Sequence, residues 1–408
     1  MIPTQQAKLK DVVEQLEFFV GSQDTLESST SARALQPFDT RIVEFLGSVA
    51  QDILRKPEAR QYSDVMTFGF WIREANLHSM KKRLADTNGC PIRIGRGLLF
   101  HIAPSNVPVN YAYSLAVGLL TGNANVVRIP SKRFPQIGII NDSLRSVLER
   151  HPSMRPYINL VSYGHEKDVN DYLSSSCQGR IIWGGDKTIA EIRRSPLSPR
   201  ASDVTFADRY SIAIVDSDEY LRAGDKASVA ERFYNDTFFS DQNACTSPRL
   251  IVWTGKNVDQ ASELFWSSLD ALVRSKYQIE EVQVVNKLTS ACCFAAHHKS
   301  SITSQSENKI VRIAIPELTP DIMDYRDNSG YFYEYHCRDL EDIFVLCKDE
   351  RLQTISHLGC LEDLRHLMSD YGLKGVDRIV PIGKTMDFDF FWDGYNLYDR
   401  LTRVIALS

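Results

Sequence analysis

Apolar positions follow two regimes along the chain. Over residues 1–90 they recur at helical spacing, on residues 9–20 and 42–54, with the serine-rich stretch 28–31 between them. From Pro91 onward short apolar runs alternate with amphipathic stretches. Residues 98–103 read as a strand, 109–120 as a helix closed by Gly122-Asn123, and 125–129 as the next strand. A second round gives a strand at 158–161, a helix at 167–174, and a strand at 180–183 running through Gly184-Gly185 into another helix. A new series begins with a strand at 211–215, followed by a helix at 228–237, a strand at 250–253 and a helix at 259–273. The proline- and aspartate-rich stretch 316–328 reads as a boundary or an exposed loop. Alternation of this kind predicts βαβ units and parallel sheets. The expectation is an α/β fold of two Rossmann-type parallel-sheet domains, at 91–213 and 214–380. A helical N-terminal region, 1–90, precedes them and a tail, 381–408, follows.

Composition narrows the partners. The chain has 408 residues, 43% hydrophobic, with a net charge of −5, an ordinary globular profile with room for two or three cores. No block of like charge offers a nucleic acid a surface. Met1–Gln6 lacks the basic-then-apolar order of a signal peptide. The best candidate for a membrane span, 111–120, is too short and carries Ser114 and Gly118. Eight cysteines without a CxxC pair or framework spacing indicate a reducing compartment, so a cytoplasmic location is expected.

Four segments carry candidate chemistry. Cys245 lies in Phe-Phe-Ser-Asp-Gln-Asn-Ala-Cys-Thr-Ser-Pro-Arg, before a strand, among small and polar neighbours. A thiol reachable at a strand mouth can be held as a thiolate nucleophile; the plain alternative is a small buried hydrophobe. Asn106, in His101-Ile-Ala-Pro-Ser-Asn-Val-Pro108, lies between a strand end and a helix start. It is either a helix cap or an amide donor to a developing oxyanion, a group whose loss costs roughly 3–4 kcal/mol of transition-state stabilisation. Gly184 and Gly185 follow a strand, where glycines admit a phosphate to a helix N-terminus or simply make a turn; no GxGxxG fingerprint is present. Ser131 and Lys132 also leave a strand, and Lys132 is either a solvated charge or a partner for a ribose 2′-phosphate. Cys292-Cys293 with His297-His298 would be scattered by helical spacing, so no metal is expected. No G-x-S-x-G elbow supports a serine triad.

In their order these segments resemble the aldehyde dehydrogenase superfamily. Pro104–Pro108 is similar to its Pro-Trp-Asn-Phe-Pro loop, 123–132 to its Gly-Asn-x-Val-Val-x-Lys-Pro-Ser-Glu strand and Trp183-Gly184-Gly185 to its Thr-Gly-Ser turn. Residues 238–246 are similar to the nucleophile segment, and Asp370-Tyr371-Gly372-Leu373 to a C-terminal Glu-Tyr-Gly-Leu. The variants Ser-Asn-Val-Pro, Trp-Gly-Gly-Asp-Lys, Phe-Ala-Asp-Arg-Tyr-Ser, Ala-Cys-Thr-Ser-Pro-Arg and Phe391-Trp392-Asp393-Gly394-Tyr395 resemble the LuxC-type acyl-CoA reductases more closely.

The resemblance implies that 91–213 binds a nicotinamide cofactor and that 214–380 carries the catalytic cysteine. It implies reduction of a fatty acyl-CoA, or another acyl thioester, to the aldehyde through an acyl-enzyme on Cys245, with Asn106 as oxyanion donor. Ser131, Lys132, Gly184 and Gly185 would hold the cofactor. Hydrolytic dehydrogenases carry Glu-Leu-Gly-Gly where this chain has Phe206-Ala-Asp-Arg-Tyr210. Loss of that base disfavours hydrolysis, since general-base help is commonly worth ~10²–10⁴-fold, although Asp208 lies close in sequence. Ile129 replaces the motif lysine. Lys132 replaces the acidic residue of NAD-selective relatives, and this second change predicts NADPH over NADH. An acyl-protein synthetase partner and a homo-oligomer are further expectations. Two alternatives stay open: an acyltransferase or thioesterase using Cys245 without nicotinamide, and a non-catalytic acyl-binding relative. An aldehyde-oxidising dehydrogenase is a further one.

Overall fold

The computed structural model describes residues 10–85, 92–305 and 307–406. The N-terminal Met1–Gln6, the start of the first expected helix at residue 9 and the expected 90/91 border lie outside them. The chain forms two compact units, Met1–Ala207 with Tyr395–Ser408, and Asp208–Gly394.

In the first unit β1 is Glu17–Val20, β2 Ile92–Gly95, β3 Leu98–Ile102, β4 Ala124–Arg128, β5 Ile158–Ser162, β6 Gly179–Trp183 and β7 Ser202–Phe206. The main sheet has the order β1-β5-β4-β3-β6-β7. Its strands are parallel except β1, which joins β5 antiparallel. Every residue of β3, β5 and β6 is buried, so these strands read as continuous apolar runs because both faces are covered. From β3 the chain steps outward to β4 and β5, then returns to place β6 on the other side of β3. That reversal of strand order is where open α/β sheets hold ligands. Strand β2 pairs antiparallel with Thr402–Ile405, which ties the C-terminal segment into this unit.

The N-terminal region differs from the expectation in two places. Residues 17–20 are strand, not the end of a helix, because Glu17 and Phe18 pair with Ser162 and Val161 and close the edge of β5. The serine-rich stretch is not a separator; Ser28–Thr30 ends the helix Gln23–Thr30, which Ser22 and Thr25 open with a capping box. Asn159 on β5 anchors that helix, donating to Ser29 Oγ (2.7 Å) and accepting from Thr25 Oγ1 (2.7 Å). The helix Thr40–Arg55 matches its expected place and buries Ile42, Phe45, Leu46, Val49 and Ile53. Lys56, just beyond it, donates to Ser143 of the helix Pro135–Arg150. These N-terminal helices are part of the first unit.

In the second unit β8 is Tyr210–Asp216, β9 Pro248–Thr254, β10 Ser301–Gln305, β11 Ile310–Ile315, β12 Tyr331–His336, β13 Leu352–Leu358 and β14 Arg378–Pro381. The order is β10-β11-β12-β9-β8-β13-β14, with β10 the antiparallel edge. Alternate residues feed two cores. Ile212, Ile214, Leu250 and Val252 enter one, and Ala213, Val215, Ile251 and Trp253 the other. The division at 207/208 falls ahead of β8, whereas borders at 213/214 and 380/381 would cut β8 and β14. A cut there would separate residues that pair within one sheet. Stretch 316–328 is likewise no boundary: it links β11 to β12 and buries Ile322 and Met323.

Candidate functional site

Three of the expected segments gather along one sheet edge in the first unit. Asn106 follows β3, Ser131 and Lys132 follow β4, and Gly184 and Gly185 follow β6. Those strands are parallel neighbours, so their carboxyl ends face the same way. Asn106 is exposed and is not a cap: the helix Asn110–Leu120 begins at Val109, with no side-chain cap. Ser131 and Lys132 are exposed, and the Lys132 ammonium lies 4.8 Å from the Phe134 ring centroid. Gly185 caps the helix Asp186–Ile192 with φ −67°. A Cβ there would meet nothing within 4 Å, and one at Gly184 only the Thr188 side chain at 3.2 Å. Neither glycine is demanded by the backbone, so the open space over this strand end is a feature of the surface.

His101 lies beneath that edge and is fully buried. Its Nδ1 is 2.8 Å from Ser114 Oγ and its Nε2 3.0 Å from Asn125 Oδ1, while Trp183 Nε1 donates to Ser114 Oγ (3.1 Å). Burial pulls its imidazole down to about 4, against the raising effect of Asn125. A ring that stays neutral and has only polar neutral partners is a core group here.

Cys245 belongs to the second unit. It sits in a turn closed by Ser247 N–H to Ala244 O (3.0 Å), just before β9, and its carbonyl accepts from Ser211 Oγ (2.8 Å). Asp241 and Gln242, in the preceding loop, both adopt left-handed backbone, φ 52° and 58°. The polar run before the cysteine is not the mark of an open loop, because Gln242 is completely buried. Its amide donates to Pro248 O (2.9 Å) and Tyr331 O (3.1 Å) and accepts from Gly330 N and Tyr331 N (both 3.0 Å). Asp241 accepts from Tyr277 OH (2.7 Å) and Asn243 from Asn328 Nδ2 (2.8 Å). The loop that carries Cys245 is therefore held rigidly from its polar side.

The Cys245 side chain is half-buried. Desolvation and then the negative charge of Asp393 push its thiol up to about 12, against Gln353 and Arg209, which pull it down. Burial thus works against the thiolate form that an open strand mouth allows. The sequence assigns no role to Asp393, Gln353 or Arg209, although Asp393 lies within the Phe391–Tyr395 tail and Arg209 within Phe206–Tyr210. Gln353 Nε2 donates to Asp393 Oδ1, and Arg209 pairs with Asp377. Asp208, the neighbouring carboxylate, is 59% exposed and paired with Arg326 at 2.5 Å.

Of the other described cysteines, Cys177, Cys337, Cys347 and Cys360 are buried and each is raised to about 12, chiefly by burial. Cys292 and Cys293 are exposed on the helix Glu281–His297, and His298 instead faces Asp321 at 3.2 Å. Among the described residues no three His, Cys, Asp or Glu groups form a metal-sized cluster, and no helix is long and apolar enough to cross a membrane.

A family model described as acyl-CoA reductase (LuxC) matches residues 75–404. The long-chain acyl-protein thioester reductase of Vibrio harveyi is 24% identical over 295 residues, covering 71% of this chain and 59% of that protein. The protein of the same name from Photobacterium phosphoreum is 24% identical over 321 residues, covering 76% and 62%. The chain thus spans about six tenths of the length of these relatives. Among solved structures, an indole-3-acetaldehyde dehydrogenase complexed with NAD+ aligns at a TM-score of 0.68 and 14% identity, over 98% of this chain and 88% of the other. A variant of Thermus thermophilus 1-pyrroline-5-carboxylate dehydrogenase aligns at 0.65 and 13%, over 98% and 85%. The fold is that of the aldehyde dehydrogenases. With four fifths of its length inside the family match, the chain belongs to the acyl-CoA reductase (LuxC) family.

Proposed function

We propose that the protein reduces an acyl thioester to the aldehyde with NADPH, through an acyl-enzyme on Cys245. The observation that carries this reading is a half-buried thiol on a turn fixed by main-chain and side-chain hydrogen bonds, in a chain of this family. Cys245 Sγ attacks the acyl carbonyl and displaces the donor thiol. The Cys245 N–H and the Asn106 amide are assigned to the carbonyl oxygen as it gains charge, Asn106 on the strength of the motif alone. Collapse of the hemithioacetal on Cys245 releases aldehyde and restores the thiol.

The carboxyl edge of the first sheet fits a dinucleotide, with open space at Gly185 and an exposed cation at Lys132. When bound, NADPH supplies the hydride that reduces the acyl group. Ser131, Lys132, Gly184 and Gly185 would hold it, and the Lys132 ammonium complements a 2′-phosphate. The name of the relatives favours a protein-borne acyl group as the donor, supplied by an acyl-protein synthetase, and that of the family favours acyl-CoA. The engaged Asp208 leaves a water attacking the acyl-enzyme without help from that carboxylate, which favours aldehyde over free acid.

The test is NADPH oxidation with a panel of acyl-CoAs, with the aldehyde trapped. Matching NADPH loss and aldehyde, absent in Cys245→Ala, is expected. Acyl label on Cys245 without NADPH loss would favour the acyltransferase reading, and an unlabelled Cys245 the non-catalytic one. Lys132→Glu should lower the preference for NADPH over NADH by tenfold or more.

A further inference from the structure

The helix Glu281–His297 carries the three most exposed large hydrophobic side chains among the described residues, Val282 at 58%, Val285 at 61% and Leu288 at 63%. Its inward face is already engaged. Ala291 and Phe294 enter a core of the second unit, while Lys287 and Ser290 donate to the segments 308–309 and 327–329. A solvated helix face is ordinarily studded with charge, yet over 282–296 the only charged residue is the inward Lys287. Outward, Val285, Leu288, Cys292 and Ala295 follow one another at intervals of three, four and three, and all four are exposed. That is the heptad seam of paired helices. The same spacing puts Glu281 four residues before the seam and Lys299 four residues after it, both exposed. Single apolar side chains on a surface need no explanation, but a contiguous stripe marks an interface.

We infer that this outward face docks a second copy of the chain, the two helices lying antiparallel about a two-fold axis near Ser290. The inference is independent of the proposed thioester chemistry. The stripe grades in size along its length, with valine and leucine in the N-terminal half and cysteine and alanine in the C-terminal half. An antiparallel pair sets large against small: Val285 against the partner's Ala295, and Leu288 against the partner's Cys292. It also sets Glu281 against the partner's Lys299 at both ends of the seam. A parallel pair would stack like on like, crowding Leu288 on its own copy, leaving a gap at Ala295 and opposing two glutamates. Volume and charge thus select the antiparallel arrangement. The two-fold axis makes the contact self-complementary and closed, so it ends at two copies. The helix has 17 residues and is about 25 Å long. A contact of that length falls at the small end of specific interfaces, under about 1,200 Å² in total, so the pair is weak and is populated only at micromolar concentration and above.

The test is sedimentation of the full chain in reducing buffer across the micromolar range. The largest wild-type species should dissociate on dilution into one of half its mass. Leu288→Lys changes a side chain that is 63% exposed, so the fold should tolerate it. It should weaken that step about 10²-fold, because pairing would bury an ammonium on each copy. Leu361→Lys, a like change at a 41% exposed leucine elsewhere in the second unit, should leave the step as it is. Glu281→Lys should weaken it by a few-fold, and adding Lys299→Glu should restore it, as only a second copy in this orientation explains. Leu288→Cys, oxidised with copper phenanthroline, should form a disulfide-linked dimer through the partner's Cys292 far faster than the wild type does. A wild type that stays monomeric throughout, or a Leu288→Lys chain that associates as the wild type does, overturns the inference. So does a monomer that instead floats with phosphatidylglycerol vesicles and no longer does so in Leu288→Lys, since the face then belongs to a lipid surface.

Discussion

Gln242 shows how one residue sets the posture of the Cys245 loop. It is buried with a left-handed backbone, and its amide satisfies four main-chain groups from β9, the Gly330 turn and β12. Gln242→Met keeps the length and removes all four bonds, leaving buried donors and acceptors unpaired at about 1–3 kcal/mol for such a group. Urea unfolding should show a loss of at least about 2 kcal/mol. Little of this is legible in the sequence. Asp-Gln-Asn before a cysteine suggests an open loop, because side-chain polarity says nothing of which main-chain groups will need partners. Cys245 itself stands out, since a thiol between small and polar residues ahead of a strand is unusual packing. Its chemistry does not stand out: Gln353 and Asp393 are more than a hundred residues away along the chain, and only the folded sheet brings them to the sulphur.

Single elements were most legible where the pattern was repetitive and least where it was short. The βα rounds at 98–183 and 211–273 appear where the alternation puts them, because fully buried parallel strands leave unbroken apolar runs. Four-residue strands such as β1 carry no usable period, and the helix Gln23–Thr30 looked like linker because its serines satisfy helix ends and β5 instead of a core. Strand β12 is a different case, with a glutamate in a buried strand. Glu334 accepts from Trp253, Trp266 and Ser262 on one oxygen and from Arg312 on the other. Burial pushes its carboxyl up, and Arg312 with these donors more than offsets that, leaving it below its ordinary value. The cluster joins β9, β11 and β12 to the helix Val258–Lys276. Glu334→Gln leaves the Arg312 charge without its counter-ion and should destabilise the protein by about 3–5 kcal/mol, read by urea unfolding. Glu334→Asp, which keeps the charge but shortens the reach, should lose less.

For the whole molecule, acid should act on the two units in opposite directions. In the first unit His101 is held neutral, with its folded value near 4 and its ordinary value 6.5. Between those values the unfolded chain binds more protons, so its contribution is present above pH 6.5 and is lost as the pH falls toward 4. The full loss is on the order of 3 kcal/mol. In the second unit burial raises Asp236 and Asp393 to about 6 from an ordinary 3.8. Their contribution is fully present below pH 3.8 and is lost as the pH rises through 6. Asp64 in the first unit, raised by burial, and His357 in the second, lowered by burial, act against these balances by smaller amounts. Carboxylates held below their ordinary values, such as Asp39 and Asp342, change state only under about pH 4. Between pH 4.5 and 6 the histidine and the two aspartates therefore dominate. Hydrogen exchange over that range, corrected for the intrinsic pH dependence of exchange, should show β3 and β4 losing protection as the pH falls while β8 and β13 hold or gain it. His101→Gln, neutral at every pH, should flatten the response of the first unit alone, and Asp236→Asn should weaken the gain in the second. Equal loss of protection in both units would mean that burial of these three groups does not control the acid response.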